Sequence, residues 1–499
     1  MILIAGALMV AGLAASFAAE RLRVPGLVLF LGLGMAIGSD GTGWINFSDY
    51  ALARTIGIVA LALILFEGGL TASFGEIRSV AGSAFSLAFV GTLVTAMIAG
   101  LVAWWLFDLS LLEGLLLGSI ISATDGAAIF ALLRGSTLRR RIAITLEGES
   151  GFNDPLAVLL VIGLIDWIQQ PDYGFADMVL LLVRQLGIGL AVGLAVGWLA
   201  IQGLRRVRLG IEAAYPIATL SVAALAYGGA ATLDGSGFLA VYLVGLALGS
   251  RPMPAERAVT IFHEGLAGLA QVTMFLVLGL LVFPSQLWDV ALEGTVLALV
   301  LMFVARPIAT AAATPLSQFD VRERAVLAWA GLRGAVPVVL ATFPVIAAVS
   351  EGFEFFNIVF FAVLLSTLLQ GATFEPFARR LGLTTTPEDQ RAAVPLMGRL
   401  RSTAQVSTSR PLSSDDDDPA YPRQVDGIAV TRQLLTRVDR AGALVSLNDG
   451  RYAFTGRIVC VGSTSGLQAA ARRRLAASTS EADRVWWREV IGALARGER

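Results

Sequence analysis

Thirteen apolar segments recur between residues 2 and 380, and they leave the chain few folds to choose from. They fall at 2–19, 25–38, 51–71, 79–107, 111–133, 143–168, 177–202, 213–232, 237–250, 258–283, 289–311, 324–349 and 356–378. A straight helix needs about 20 apolar residues to cross a bilayer. Several segments are shorter, so they are expected to be tilted, broken or extended by polar flanks. Hydrocarbon offers no partners to a backbone, which favours helices for runs of this length. Only 15% of the 499 residues are charged, against about 25% in soluble domains. The expected class is an all-α polytopic membrane protein of about thirteen transmembrane helices.

The arginines support that count. There is no lysine. With the N-terminus outside, the inner loops hold Arg21 and Arg23, Arg78, Arg134 and Arg139–Arg141, Arg205, Arg206 and Arg208, Arg251 and Arg257, Arg306, Arg322 and Arg324, and Arg379 and Arg380. The outer loops hold Asp40, Asp49, Asp108, Asp172, Asp234, Asp289, Glu351 and Glu354, and no arginine. Positive charge is retained on the cytoplasmic side of membrane proteins, so this alternation sets the C-terminus in the cytoplasm. The first segment has its arginines after the apolar run rather than before it, which argues for a span over a cleaved signal.

Beyond the membrane part, 1–384, composition changes. Residues 385–425 are rich in Thr, Ser, Pro and Asp and read as a disordered linker. Residues 426–499 read as a small cytosolic α/β domain, with a regulatory module and an assembly tag both open. Its expected helices are Thr431–Val438, Ser465–Ala477 and Glu481–Ala495, and its strands Ala443–Leu447 and Arg457–Val461.

The residue inventory removes whole classes of chemistry. Cys460 is the one cysteine and His263 the one histidine, which excludes disulfides within the chain, His-cluster metal sites and Ser/His/Asp catalysis in the membrane part. No enzyme activity and no cofactor are expected. The net charge of −1 gives no sign of a nucleic-acid partner.

Polar residues inside spans are costly and mark ion or proton pathways by default. The sixth segment opens with Thr145–Val158, which carries Glu147, Glu149 and Asp154. On a helix Ser150 and Asp154 are i,i+4 neighbours, as are Glu149 and Asn153, so a hydroxyl, an amide and two carboxyls crowd one side. Oxygen groups of this kind suit a hard monovalent cation, and a carboxylate also takes a proton. The fifth segment contains Ser122-Ala123-Thr124-Asp125-Gly126, and the twelfth Gly331-Leu332-Arg333-Gly334-Ala335-Val336-Pro337. Glycine and proline there break the helical ladder, and an arginine at that depth needs a carboxylate. Glu149 and Arg333 are therefore expected to form a buried ion pair. Segments 1–6 and 8–13 would be the halves of an inverted repeat, pairing the broken fifth with the broken twelfth. Asp125 and Arg333 have the charges that would neutralise the half-helix ends. Blander readings stand beside these: Asp125 as a loop cap, Glu67 as an interfacial acid rather than an entry-path one, and His263 with Glu264 as a snorkelling interfacial pair. The Gly-Xaa-Gly runs at Gly32–Gly34 and Gly187–Gly189 read as helix packing.

Residues 1–380 resemble the bacterial NhaP-type cation:proton antiporters, relatives of the animal sodium/proton exchangers. The resemblance rests on Phe66-Glu67-Gly68-Gly69-Leu70, Ala123-Thr124-Asp125, Glu149-Ser150-Gly151-Phe152-Asn153-Asp154-Pro155 and the Gly331–Pro337 run. Gln271–Leu281 and Leu369-Gln370-Gly371 make it most similar to the potassium/proton branch. The resemblance implies that Asp154 carries the cation and the proton, with Ser150 and the Thr124 carbonyl sharing the K⁺ or Na⁺. It implies that Asn153 and Asp125 order the site and that Glu149 pairs with Arg333. It also implies a homodimer in the bacterial inner membrane, with segments 4–6 and 11–13 moving against a dimer domain. Because Asn153 stands where a second acid would add a charge, exchange is expected to be one cation for one proton. Rival expectations are a cation channel or sensor on the same scaffold gated by the tail, and a sodium-coupled organic-anion carrier.

Overall fold

The computed structural model describes residues 26–384 apart from 73, 125–137, 207–209, 252 and 315–317, together with scattered positions between 6 and 21. Beyond residue 384 it describes 424–425, 428–429, 444–446, 452–454, 460–462 and 488. The chain divides into two compact units, Met1–Thr384 and Thr385–Arg499.

The first unit is helical. Among the described residues, eight helices are long and apolar enough to cross a membrane: Tyr50–Thr71, Ile77–Leu106, Arg141–Gln169, Phe175–Arg206, Ala214–Thr232, Glu256–Leu280, Ala291–Ala313 and Gly352–Arg380. Four shorter apolar helices accompany them: Gly26–Ile37, Leu111–Ser122, Gly237–Gly249 and Ala335–Ile346. Each coincides with one of the expected segments from the second to the thirteenth. Most of the first segment, and the fifth beyond Thr124, lie outside the described residues.

Local chemistry explains where these helices begin. Asp49 accepts from the Leu52 amide, and Ser236 accepts from the Leu239 amide. Ser110 with Glu113, and Asp320 with Glu323, form reciprocal capping boxes. Each such cap satisfies amides that would otherwise be orphaned and is worth about 1 kcal/mol.

Two helices carry π-turns, Leu87–Gly91 in the fourth segment and Leu301–Ala305 in the eleventh. Each π-turn packs against the helix that follows the other: Leu87–Gly91 on Arg306–Ala313, and Leu301–Ala305 on Thr92–Leu106. The wider turn displaces the side chains that follow it around the helix axis. That displacement carries Arg306, read above as a loop residue, into the interior, where it is 2% exposed.

The third and ninth segments run backbone against backbone. A Cβ on Gly69 would lie 2.4 Å from the Tyr242 carbonyl oxygen, and one on Gly245 would lie 2.4 Å from that of Phe66.

Among the described residues the second unit contains five short strands: β1 Gln424–Val425, β2 Ile428–Ala429, β3 Leu444–Ser446, β4 Tyr452–Phe454 and β5 Cys460–Gly462. β1 and β2 pair antiparallel, and β3-β4-β5 form an antiparallel meander. β3 lies within the expected strand at 443–447, while β5 starts three residues later than the expected 457. β4 was not expected, although Asp449-Gly450 between β3 and β4 is a hairpin-turn signal. Arg488 is helical; the rest of the expected tail helices lie outside the described residues.

Candidate ion-binding site

The site forms where two helices stop inside the bundle. Leu111–Ser122 ends at Ala123, whose backbone is extended, and Thr124 follows, fully buried. Val321–Trp329 ends before an irregular run, Ala330–Gly334, after which Ala335–Ile346 begins. The broken twelfth segment is thus observed.

Arg333 lies in that break and is 1% exposed. Its Nη1 donates to the Ser122 carbonyl oxygen at 2.6 Å. A guanidinium thus meets the partly negative C-terminal end of Leu111–Ser122, the neutralising role expected for it. The break is held by the helix Gly352–Arg380. Ser366 Oγ accepts from the Arg333 amide at 3.2 Å, Thr367 Oγ1 donates to the Arg333 carbonyl at 2.8 Å, and Gln370 Nε2 donates to the Trp329 carbonyl at 3.0 Å. Irregular backbone at this depth persists only when its groups are satisfied in this way.

The expected pair of Glu149 with Arg333 is corrected. Arg306 holds Glu149, with Nη1 to Oε1 at 2.5 Å and Nη2 to Oε2 at 2.8 Å. Both side chains are buried, at 2% and 0% exposed. The reason is the π-turn before Arg306, which aims the guanidinium inward. Gly331 makes room for it: a Cβ there would lie 2.4 Å from Arg306 Nε.

Arg140–Gln169 supplies the oxygen donors. Ser150 and Asn153 are fully buried, and Asp154 is 4% exposed. Asn153 Nδ2 donates to Thr124 Oγ1, which ties the sixth segment to the break in the fifth. Pro155 follows Asp154 and has no amide hydrogen, so the Gly151 carbonyl lacks its helical donor. Ser150 Oγ and Asn153 Oδ1 are buried without a hydrogen-bond partner among the described residues. Three carboxylate, histidine or cysteine ligands do not converge anywhere among the described residues. What the site offers is one carboxylate with hydroxyl, amide and carbonyl oxygens, a donor set for a dehydrated monovalent cation or a proton. Asp125 lies outside the described residues.

Glu67 is 6% exposed, near the end of Tyr50–Thr71, where the Thr71 hydroxyl donates to its backbone carbonyl. His263 is not a surface residue. It is 1% exposed, its Nε2 lies 2.9 Å from Thr219 Oγ1, and its ring meets Phe66 edge-on at 4.8 Å. Sequence reasoning missed Tyr242, which sits in the apolar run Gly237–Gly249. Its ring covers Gly151, where a Cβ would lie 2.8 Å from the Tyr242 hydroxyl oxygen. That hydroxyl is buried and without a hydrogen-bond partner among the described residues.

At the other end of the third segment, ring and cation–π contacts tie the helix to the twelfth and thirteenth segments. Tyr50 meets Phe353 and Phe356 edge-on, each at 5.5 Å, and Arg54 lies over Phe343 at 5.4 Å. A Cβ on Gly57 would touch Val339 at 2.7 Å.

This chain is similar to the K⁺/H⁺ antiporter NhaP2 of Shewanella baltica, 40% identical over 372 residues, 74% of this chain and 64% of that one. It is also 40% identical over 389 residues to the K⁺/H⁺ antiporter NhaP of Alkalimonas amylolytica, covering 78% and 68%. The chain therefore spans somewhat less than two thirds of the NhaP2 length. Its fold matches the sodium proton antiporter MjNhaP1 of Methanocaldococcus jannaschii with a TM-score of 0.66 at 24% identity, covering 76% of this chain and 99% of that one. The family model for the transmembrane sodium/hydrogen exchanger matches residues 6–380, and the chain belongs to that family of membrane transporters.

Proposed function

We propose that this chain is a secondary active, electroneutral monovalent cation:proton antiporter that exchanges K⁺ in preference to Na⁺. The observation that carries the reading is the buried hydrogen bond from Asn153 to Thr124 at the broken end of Leu111–Ser122, with Ser150 and Asp154 buried on the same helix as Asn153. The preference for K⁺ rests on the named relatives at 40% identity.

Cation and proton compete for Asp154. Ser150 and the Thr124 carbonyl complete the cation's shell, and Asn153 with Asp125 order it. A bare carboxylate is too costly to move through a low-dielectric barrier, so only the loaded site crosses. Competition for one acid then enforces exchange. Arg333 and the Glu149–Arg306 pair brace the site without carrying cargo, and Glu67 lines the entry.

Access alternates as segments 4–6 and 11–13 move against the rest. The contacts of Tyr50, Arg54 and Gly57 with the twelfth and thirteenth segments support a state closed on the outer side. The π-turns in the fourth and eleventh segments, which an inverted repeat of segments 1–6 and 8–13 would pair, support that repeat. A homodimer of thirteen-helix chains in the bacterial inner membrane, N-terminus outside and tail in the cytoplasm, completes the proposal. The orientation rests on the arginine distribution.

The test is dequenching of a pH dye in proteoliposomes on addition of K⁺, Na⁺ or Li⁺, repeated under an imposed potential with no pH gradient. A moved net charge would feel about 2.3 kcal/mol per 100 mV. The expected rate is unchanged by voltage; a steep dependence would overturn the one-for-one stoichiometry.

A further inference from the structure

We propose that the groove between the eleventh and twelfth segments is a binding site for an anionic phospholipid, its acyl chain along the groove and its phosphate on Arg324. The cavity has a volume of about 570 Å³. Phe303, Pro307 and Ala311, at i, i+4 and i+8, form one wall and span about 12 Å of helix rise. Ala325 and Trp329 form the facing wall, and Phe377 lines the groove from the thirteenth segment. Aromatic rings narrow the groove, with Phe303 and Trp329 at 5.4 Å and Trp329 and Phe377 at 5.7 Å. The polar lining is Arg324 and Thr373. Thr373 is already engaged, accepting from Trp329 Nε1 at 3.0 Å and donating to the Leu369 carbonyl.

The mouth is cationic. Arg324 Nε is buried and has no hydrogen-bond partner among the described residues. Arg322 and Arg380 line the adjoining depression, which shares Phe377 with the groove. None of these three arginines has a carboxylate partner among the described residues. The neighbouring acids are taken: Glu323 lies 3.7 Å from Arg139, and Glu375 lies 2.7 Å from Arg379. A hydrocarbon slot with guanidinium groups at one end complements an amphiphile with an apolar tail and an anionic head. Arginine favours phosphate through its fork of charge-assisted donors. The slot opens on helices that read as membrane-embedded, and Phe303 is 58% exposed there, which selects a lipid over a soluble anion. A lipid seated here touches Trp329, the last helical residue before the break that carries Arg333.

The test uses the full chain in phosphatidylcholine vesicles. Phosphatidylglycerol or phosphatidylcholine with brominated acyl chains is added in steps, and the Trp329 fluorescence is isolated by difference against Trp329→Phe. Brominated phosphatidylglycerol should quench Trp329 at about tenfold lower mole fraction than brominated phosphatidylcholine, the effect of one charge-assisted hydrogen bond. In Arg324→Gln combined with Arg322→Gln and Arg380→Gln the two lipids should become equivalent. Ala311→Phe, which fills the slot and keeps the arginines, should remove quenching by both; should it not fold, the arginine variants alone still decide. Equal quenching of the native chain by the two lipids, quenching by neither, or a preference that survives loss of the arginines would overturn the proposal.

Discussion

The partner of Glu149 can be read by a double-mutant cycle, because two arginines compete for the role. Arg306 grips both carboxylate oxygens, at 2.5 and 2.8 Å, whereas Arg333 is turned onto the Ser122 carbonyl. Replacing Arg306 by Met leaves a buried charge unpaired and should cost about 3–5 kcal/mol. Glu149→Leu combined with Arg306→Met removes both charges and should recover most of that loss. The interaction term for Glu149 with Arg306 should then be about 2–3 kcal/mol, near the top of the range for contacting residues. The matching cycle with Arg333→Met should give less than about 1 kcal/mol, since those side chains share no hydrogen bond. Unfolding of the purified chain in mixed micelles gives all four corners of each cycle. An Arg333 term equal to or larger than the Arg306 term would refute the reasoning.

Three further outcomes follow from the same geometry. Gly331→Ala places a methyl 2.4 Å from Arg306 Nε, so it should cost about 1–3 kcal/mol and lower exchange; native-like melting and transport would contradict the packing. Thr124→Val removes the acceptor for the Asn153 amide and should cost about 1–3 kcal/mol, with a weaker apparent cation affinity in the vesicle assay. Asp40 accepts from the Ser285 amide at 2.7 Å, which holds its carboxyl below the usual carboxylate range. With the folded value depressed, this tie contributes fully above the ordinary aspartate value, about 3.9, and is lost as pH falls through the folded one. Asp40→Asn should therefore lower the melting temperature at pH 7, and the effect should shrink as pH falls below the ordinary aspartate value; an effect independent of pH would contradict the tie.

The membrane helices were legible because lipid imposes one rule on every apolar run, and the break at Ala330–Gly334 was legible because glycine and a charge interrupt such a run. The oxygen cluster on the sixth segment followed from i,i+4 spacing alone. Arg306 was not legible. It follows a π-turn, and nothing in Leu301–Ala305 announces a change of helical period. Ordinary spacing and the arginine alternation both assigned it to a loop. Arg54 and Arg184 are related cases: they lie inside apolar segments, where a count over loops passes them by, and Arg184 is paired with Asp234 at 2.7 Å. Tyr242 was hidden by its surroundings, since a tyrosine in an apolar run reads as packing until the glycine under its ring is known. Ser366 and Gln370 did carry a signal, two polar groups one turn apart in an apolar helix, and they clamp the break.

The most direct test of the central claim is the apparent affinity for K⁺ measured in proteoliposomes at a series of pH values, for the native chain and for Asp154→Asn. If one acid serves both ions, the half-saturating K⁺ concentration should rise about tenfold for each unit of pH below the acid's own pKa, while the maximal rate holds, and Asp154→Asn should be silent throughout. A half-saturating concentration indifferent to pH, or exchange retained by Asp154→Asn, would contradict the account.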